Sequence, residues 1–88
     1  MKELIEYIAK ALVENPDEVS VIEEQEGRRT ILKLQVDPND MGRVIGREGR
    51  VAEAMRTLLR AATARSGEQI LLVIRAQGST EDEQYGSR

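Results

Sequence analysis

Apolar residues recur through the first segment at helical spacing. Leu4, Ile5, Ile8, Ala9, Leu12 and Val13 share one face, with Lys2, Glu3, Glu6, Lys10 and Glu14 outside it. That spacing predicts an amphipathic helix over 2–14. Pro16 disfavours helical geometry at Asn15, so "NPDE" at 15–18 ends the helix. The period then drops to two. Leu32, Leu34 and Val36 alternate with Lys33 and Gln35, while Val19 and Val21 point one way and Ile22 falls off the pattern. Two strands are expected, over 19–25 and 30–36, joined by "EGRR" at 26–29 with Gly27 free to take positive φ.

"DPND" at 37–40 reads as a helix start. Asp37 can cap, Pro38 suits the first helical position, and Asp40 falls where a first-turn carboxylate is favourable. A short helix over 38–45 stops at Gly46. A longer one is expected over 50–65, with Val51, Met55, Leu58, Leu59 and Ala62 as its apolar face and Arg50, Glu53, Arg56 and Arg60 away from it. Ser66-Gly67 closes that helix. "QILLVIR" at 69–75 has the length and composition of a strand covered on one face and partly on the other. Beyond it Gly, Ser, Thr, Gln and acids dominate. The chain therefore divides into one domain over 1–76 and a disordered acidic and polar tail over 77–88. The class is α+β: one three-stranded sheet with helices packed on one face buries all these stripes.

Charge changes the picture more than overall composition does. The chain of 88 residues carries a net charge of −3, which by itself suggests no polyanionic partner. The distribution is uneven. Residues 1–26 sum to −6, whereas residues 42–65 sum to +4, and every basic residue in that second stretch is Arg. Arginine forms forked hydrogen bonds to phosphate that lysine does not. The excess surrounds "VIGREGRVAEAMRTLL" at 44–59.

Two readings of this loop stand side by side. Gly46 can end one helix, with Gly49 opening the next. Alternatively, the bare glycines let a sugar-phosphate backbone approach, next to a helix N-terminus that favours an anion and beside Arg43, Arg47 and Arg50. Val44 and Ile45 would then supply apolar floor for bases. The Arg-rich helix divides in the same way, between a solvated face and a phosphate-binding one.

Element order adds to the motif. A hairpin, two helices bracketing Ile-Gly-x-x-Gly, and one apolar strand resemble the KH domain, in its helix-first type II form with the order α-β-β-α-α-β. The short length, the opening "MKELIEYIAKALVENPDEV" and the run "DMGRVIGREGRVAEAMRTLLRAA" look like the KhpA family of small bacterial single-KH proteins. The resemblance covers residues 1–75. It implies a three-stranded sheet with three helices on one face, and a loop and groove that hold about four single-stranded nucleotides. On this chain Gly46, Arg47, Glu48 and Gly49 would contact the nucleic-acid backbone, Val44, Ile45 and Val51 would form groove floor, and Arg43 and Arg50 would flank it. It further implies single-stranded RNA, or single-stranded DNA, as ligand, a role as RNA chaperone or post-transcriptional regulator tied to bacterial growth and shape, and self-association or pairing with a second KH protein of the KhpB (Jag, EloR) type. An adaptor that uses the fold for protein contacts alone is the competing expectation. Glu48 departs from the pattern, because it sets a carboxylate beside the phosphate path.

Other classes fit poorly. The chain has no His and no Cys, so thiolate metal sites and histidine acid–base chemistry are excluded. Ser20, Thr30, Thr57, Thr63 and Ser66 have no histidine to activate them, and no Lys-Ser/Thr follows Gly49 as a nucleotide-binding loop requires. A non-catalytic protein without cofactor or metal is expected. Its two aromatics, Tyr7 and Tyr85, lie away from the loop, which argues against base-stacking platforms. With Glu3 and Glu6 interrupting the apolar start and no apolar run of membrane length, a cytoplasmic location is expected.

Overall fold

A computed structural model describes residues 1–78. Helix α1 spans Lys2–Leu12 and ends at Val13, which turns extended ahead of a 3-10 turn over Pro16–Glu18. Strands β1 (Ser20–Glu26) and β2 (Arg29–Val36) pair antiparallel with Glu26 opposite Arg29. Only Gly27 and Arg28 connect them. Gly27 sits at φ +62 and Arg28 at negative φ, the pattern of a type II′ turn, which matches the twist of a hairpin.

The helix expected over 38–45 divides in two. The Asp37 carboxylate accepts from the Asn39 amide at 2.8 Å, and the Asp40 amide bonds the Asp37 carbonyl at 2.8 Å, so the chain first makes a tight 3-10 turn over Pro38–Asp40. Helix α2 follows at Met41–Ile45. Helix α3 spans Arg50–Ala62, shorter than its apolar periodicity suggests. It stops at Thr63, which leaves helical geometry at φ −108, ψ 7 while its amide and its hydroxyl both donate to the Leu59 carbonyl, at 3.1 and 2.9 Å. Strand β3 is Gln69–Ala76.

The sheet order is β1-β2-β3, with β2 central and β3 parallel to it. A parallel neighbour needs a crossover, and α2 and α3 are that crossover. All three helices pack on one side: α1 against β1 and β2, α2 and α3 against β3. Register follows from the pleat. Leu32 pairs with Leu72 and Leu34 with Ile74, and these four side chains meet Ile5, Ala9, Val44, Met55 and Leu59 in one buried cluster. Truncating such a residue to Ala costs about 2–5 kcal/mol. The other sheet face carries Ile22, Ile31, Val73 and a Lys33–Glu24 ion pair at 3.2 Å. Val73 is 2% exposed, so β3 is covered on one face and largely on the other, as its apolar run suggests. This is the α+β arrangement of a type II KH fold.

The face that α3 buries differs from the expected one. Arg56, expected in solvent, is 6% exposed, whereas Leu58, expected inside, is 47% exposed. Ala62 also faces outward. The buried positions are Ala52, Met55, Arg56 and Leu59, continued by Thr63. At the C-terminal end Gln77 is tied to the domain, its amide bonding the Val36 carbonyl at 2.7 Å and its side chain the Glu18 carbonyl at 2.9 Å. Most of the tail expected over 77–88 lies outside the described residues. Among those described, no helix is long and apolar enough to cross a membrane.

Candidate nucleic-acid interface

Gly46 closes α2, its amide donating to the Gly42 carbonyl at 2.9 Å. It sits at φ +79, ψ 171, a region open essentially to glycine alone. A Cβ there would come within 2.5 Å of Val51 Cγ2 and 2.8 Å of the Val51 amide nitrogen. The missing side chain therefore lets α2 and α3 close on each other, and the first glycine is required by packing. Arg47–Gly49 form a single 3-10 turn between the two helices. Arg47 keeps negative φ, but Glu48 takes φ 57, ψ 25, the one positive-φ non-glycine residue among those described. Gly49, buried and left-handed at φ 75, ψ 16, leads into α3.

The turn uses some of its amides internally. The Gly49 amide donates to the Gly46 carbonyl at 3.1 Å, and the Arg50 amide to the Arg47 carbonyl. The amides of Arg47 and Glu48 lie between the glycines, on the exposed stretch of the turn. A negative-φ residue followed by a left-handed one turns successive N–H groups toward a common point, a shape that receives anionic oxygen.

Charge around the loop is largely self-paired. Glu48 Oε1 lies 3.5 Å from Arg50 Nη2, with both side chains mostly exposed. Arg60 reaches Glu53 at 3.0 Å. Arg43 is held twice, by Glu14 at 3.0 Å and by Asp40 at 3.6 Å. Arg47 stands apart: it is exposed and forms no ion pair among the described residues. Of the apolar residues expected to floor a groove, Ile45 and Val51 are half-buried and reachable at its edge. Val44 is 0% exposed and belongs to the core beneath.

Two buried polar side chains anchor this corner, and neither is expected from the pattern. Asp40, read as a first-turn carboxylate, makes no cap to its own helix. Its side chain is buried and receives the Glu14 amide at Oδ1 and the Asn15 amide and Nδ2 at Oδ2, each at 3.1 Å. Burial alone pushes its pKa up. The bonds from Glu14 and Asn15, with the Arg43 charge, outweigh that and hold it below its ordinary value. Arg56 donates to the Leu72 carbonyl at 3.0 Å and so pins α3 to β3. Its pKa is lowered by burial, raised by Glu53 and lowered again by Arg60, and the guanidinium stays charged. A signal for Arg56 was present: positions 52, 55, 56, 59 and 63 trace one helical stripe. For Asp40 there was none, because "DPND" accounts for itself as a start signal.

The family described as "KhpA/KhpB, KH domain" matches residues 2–74. The chain belongs to the KhpA/KhpB KH-domain family. It is 47% identical over 74 residues to the RNA-binding protein KhpA of Clostridium acetobutylicum, covering 84% of this chain and 99% of that one. KhpA of Borreliella burgdorferi is 46% identical over 72 residues, covering 82% and 88%. KhpA of Aquifex aeolicus is 40% identical over 74 residues, covering 84% and 94%. No solved structure matches the chain. In this KH domain the glycine turn at 46–49 falls between α2 and α3, where the sequence resemblance sets it.

Proposed function

We propose that the chain is a non-catalytic, single-stranded RNA-binding protein, and that the turn Gly46–Arg47–Glu48–Gly49 holds the RNA backbone. The observation that carries this is the exposed glycine turn between α2 and α3, whose Arg47 guanidinium forms no ion pair among the described residues. The guanidinium and the backbone amides of the turn are two kinds of donor at one exposed place, with Ile45 and Val51 as apolar edge beneath the bases. About four nucleotides suit such a site. The relatives' printed name, RNA-binding protein, supports the same ligand. Val44 shapes the site from below, Arg50 flanks it in competition with Glu48, and Arg43 flanks it while held by Glu14 and Asp40. Post-transcriptional control in the cytoplasm, bearing on growth and shape, is the role this reading extends to.

The test is titration of a labelled single-stranded RNA with wild type and with the double variant Arg47→Asp, Glu48→Asp. Losing a charge-assisted contact costs about tenfold or more. Binding should weaken by that factor in the variant, and the dependence on salt should become shallower. Equal binding by both proteins would remove the turn from the interface.

A second reading, compatible with the first, is favoured by the outward face of α3. Leu58 is 47% exposed, and Ala54, Ala61 and Ala62 are exposed beside it. Such a stripe suits pairing with another copy or with a second KH protein, and a dimer would offer two RNA sites. Leu58→Glu should shift the mass seen by light scattering toward the monomer while leaving the fold intact. An unchanged mass would exclude this face.

A further inference from the structure

We propose that Glu14, at the end of α1, competes internally with RNA for Arg43. The inference rests on the RNA reading of the glycine turn and names a residue that sets the affinity of that site. Arg43 lies one turn ahead of Gly46 on α2, half-exposed, on the approach to the turn. Its Nη2 meets Glu14 Oε2 at 3.0 Å, and its Nε lies 3.6 Å from Asp40 Oδ1.

An exposed ion pair usually matters little, because two long side chains must be ordered to make it. Here much of that ordering is already done. Asp40 Oδ1 holds the Glu14 amide, and Asp40 Oδ2 holds Asn15 through both its amide and its Nδ2. Asp40 and Arg43 are three residues apart on one helical stretch. The buried carboxylate therefore fixes the backbone that carries Glu14 relative to the helix that carries Arg43. The Glu14 carboxylate occupies the guanidinium as an oxygen of a phosphate would, and an incoming phosphate must displace it. Arg47, with no such competitor, is engaged first.

The experiment is fluorescence anisotropy at low salt with a labelled single-stranded hexaribonucleotide and the full chain. Five proteins are compared: wild type, Glu14→Gln, Arg43→Ala, the combination of both, and Glu6→Gln. The last removes the same charge from α1 at a position with no ion pair among the described residues. Glu14→Gln keeps the amide bond to Asp40, and thermal melting checks that its fold is unchanged. Glu14→Gln should tighten binding about two- to five-fold beyond Glu6→Gln. That gain should vanish when Arg43 is Ala, so Arg43→Ala costs more in the Glu14→Gln background than in wild type. A gain no larger than that of Glu6→Gln, or one that survives without Arg43, overturns the inference while leaving RNA binding in place. If the wild-type chain binds no RNA, the reading of the turn fails and this inference fails with it.

Discussion

Two corners of the molecule share a vocabulary and use it differently. The hairpin corner reads Glu-Gly-Arg-Arg at 26–29, and the helical corner reads Gly-Arg-Glu-Gly at 46–49. Each turns on a positive-φ glycine, and each pairs an Arg with a Glu: Arg29 with Glu26 at 2.7 Å, and Arg50 with Glu48 at 3.5 Å. At the hairpin nothing lies within 4 Å of where a Gly27 Cβ would stand, so only the dihedral requires glycine. At the helical corner Val51 fills that space as well. The hairpin is held by a regular ladder of backbone bonds. The helical corner is held by buried polar side chains from elsewhere, Asp40 and Arg56. A turn clamped from behind leaves its outer side, where Arg47 and Glu48 are exposed, open to a ligand; a turn between two paired strands is tied into their ladder.

The sharpest way to break the comparison is to place the same side chain at both glycines. Gly46→Ala should cost about 3 kcal/mol or more in urea unfolding, because strain from φ adds to a clash with backbone. Gly27→Ala should cost about 1 kcal/mol, from φ alone. Equal losses would mean that Val51 yields freely and the helical corner is not clamped. Next comes the anchor itself. Arg56→Met leaves the Leu72 carbonyl without its charged donor and should destabilise by about 1–3 kcal/mol.

Asp40 tests the same anchor through pH. Its pKa is lowered in the folded state, so the stability it contributes is present above the ordinary aspartate value of about 4 and is lost as pH falls through the lower folded value. Wild type should lose thermal stability on acidification below about pH 4. Asp40→Asn should be less stable at neutral pH and lose less of its remaining stability over the same range. Parallel acid profiles for the two proteins would show that the carboxylate is not the anchor. The smallest effect concerns Glu48. Glu48→Gly relieves a left-handed non-glycine residue and should stabilise by about 1 kcal/mol. Glu48→Lys removes the competitor of Arg50 and should tighten RNA binding. Unchanged or weaker binding by Glu48→Lys would place the phosphate path away from Arg50.

The elements were legible from the pattern because their signals are local. Pro16 stops α1, period two marks β2, and Gly46 separates two helices whatever surrounds them. The rotation of α3 was not legible. Val51, Ala52, Ala54, Met55, Leu58, Leu59, Ala61 and Ala62 spread apolar character around most of that helix. Periodicity therefore shows that it is a helix without choosing which side goes in. The choice was made by β3, whose outward carbonyl at Leu72 takes the Arg56 guanidinium and turns Leu58 to solvent. The site divides in the same way. Its position, its glycines and its excess of Arg follow from the sequence alone. Which of those Arg residues is free was decided by tertiary structure, since Glu14 lies 29 positions from Arg43 and meets it only through a buried aspartate that joins the end of α1 to the start of α2. Charge in a sequence sums over neighbours along the chain; charge at a site sums over neighbours in space.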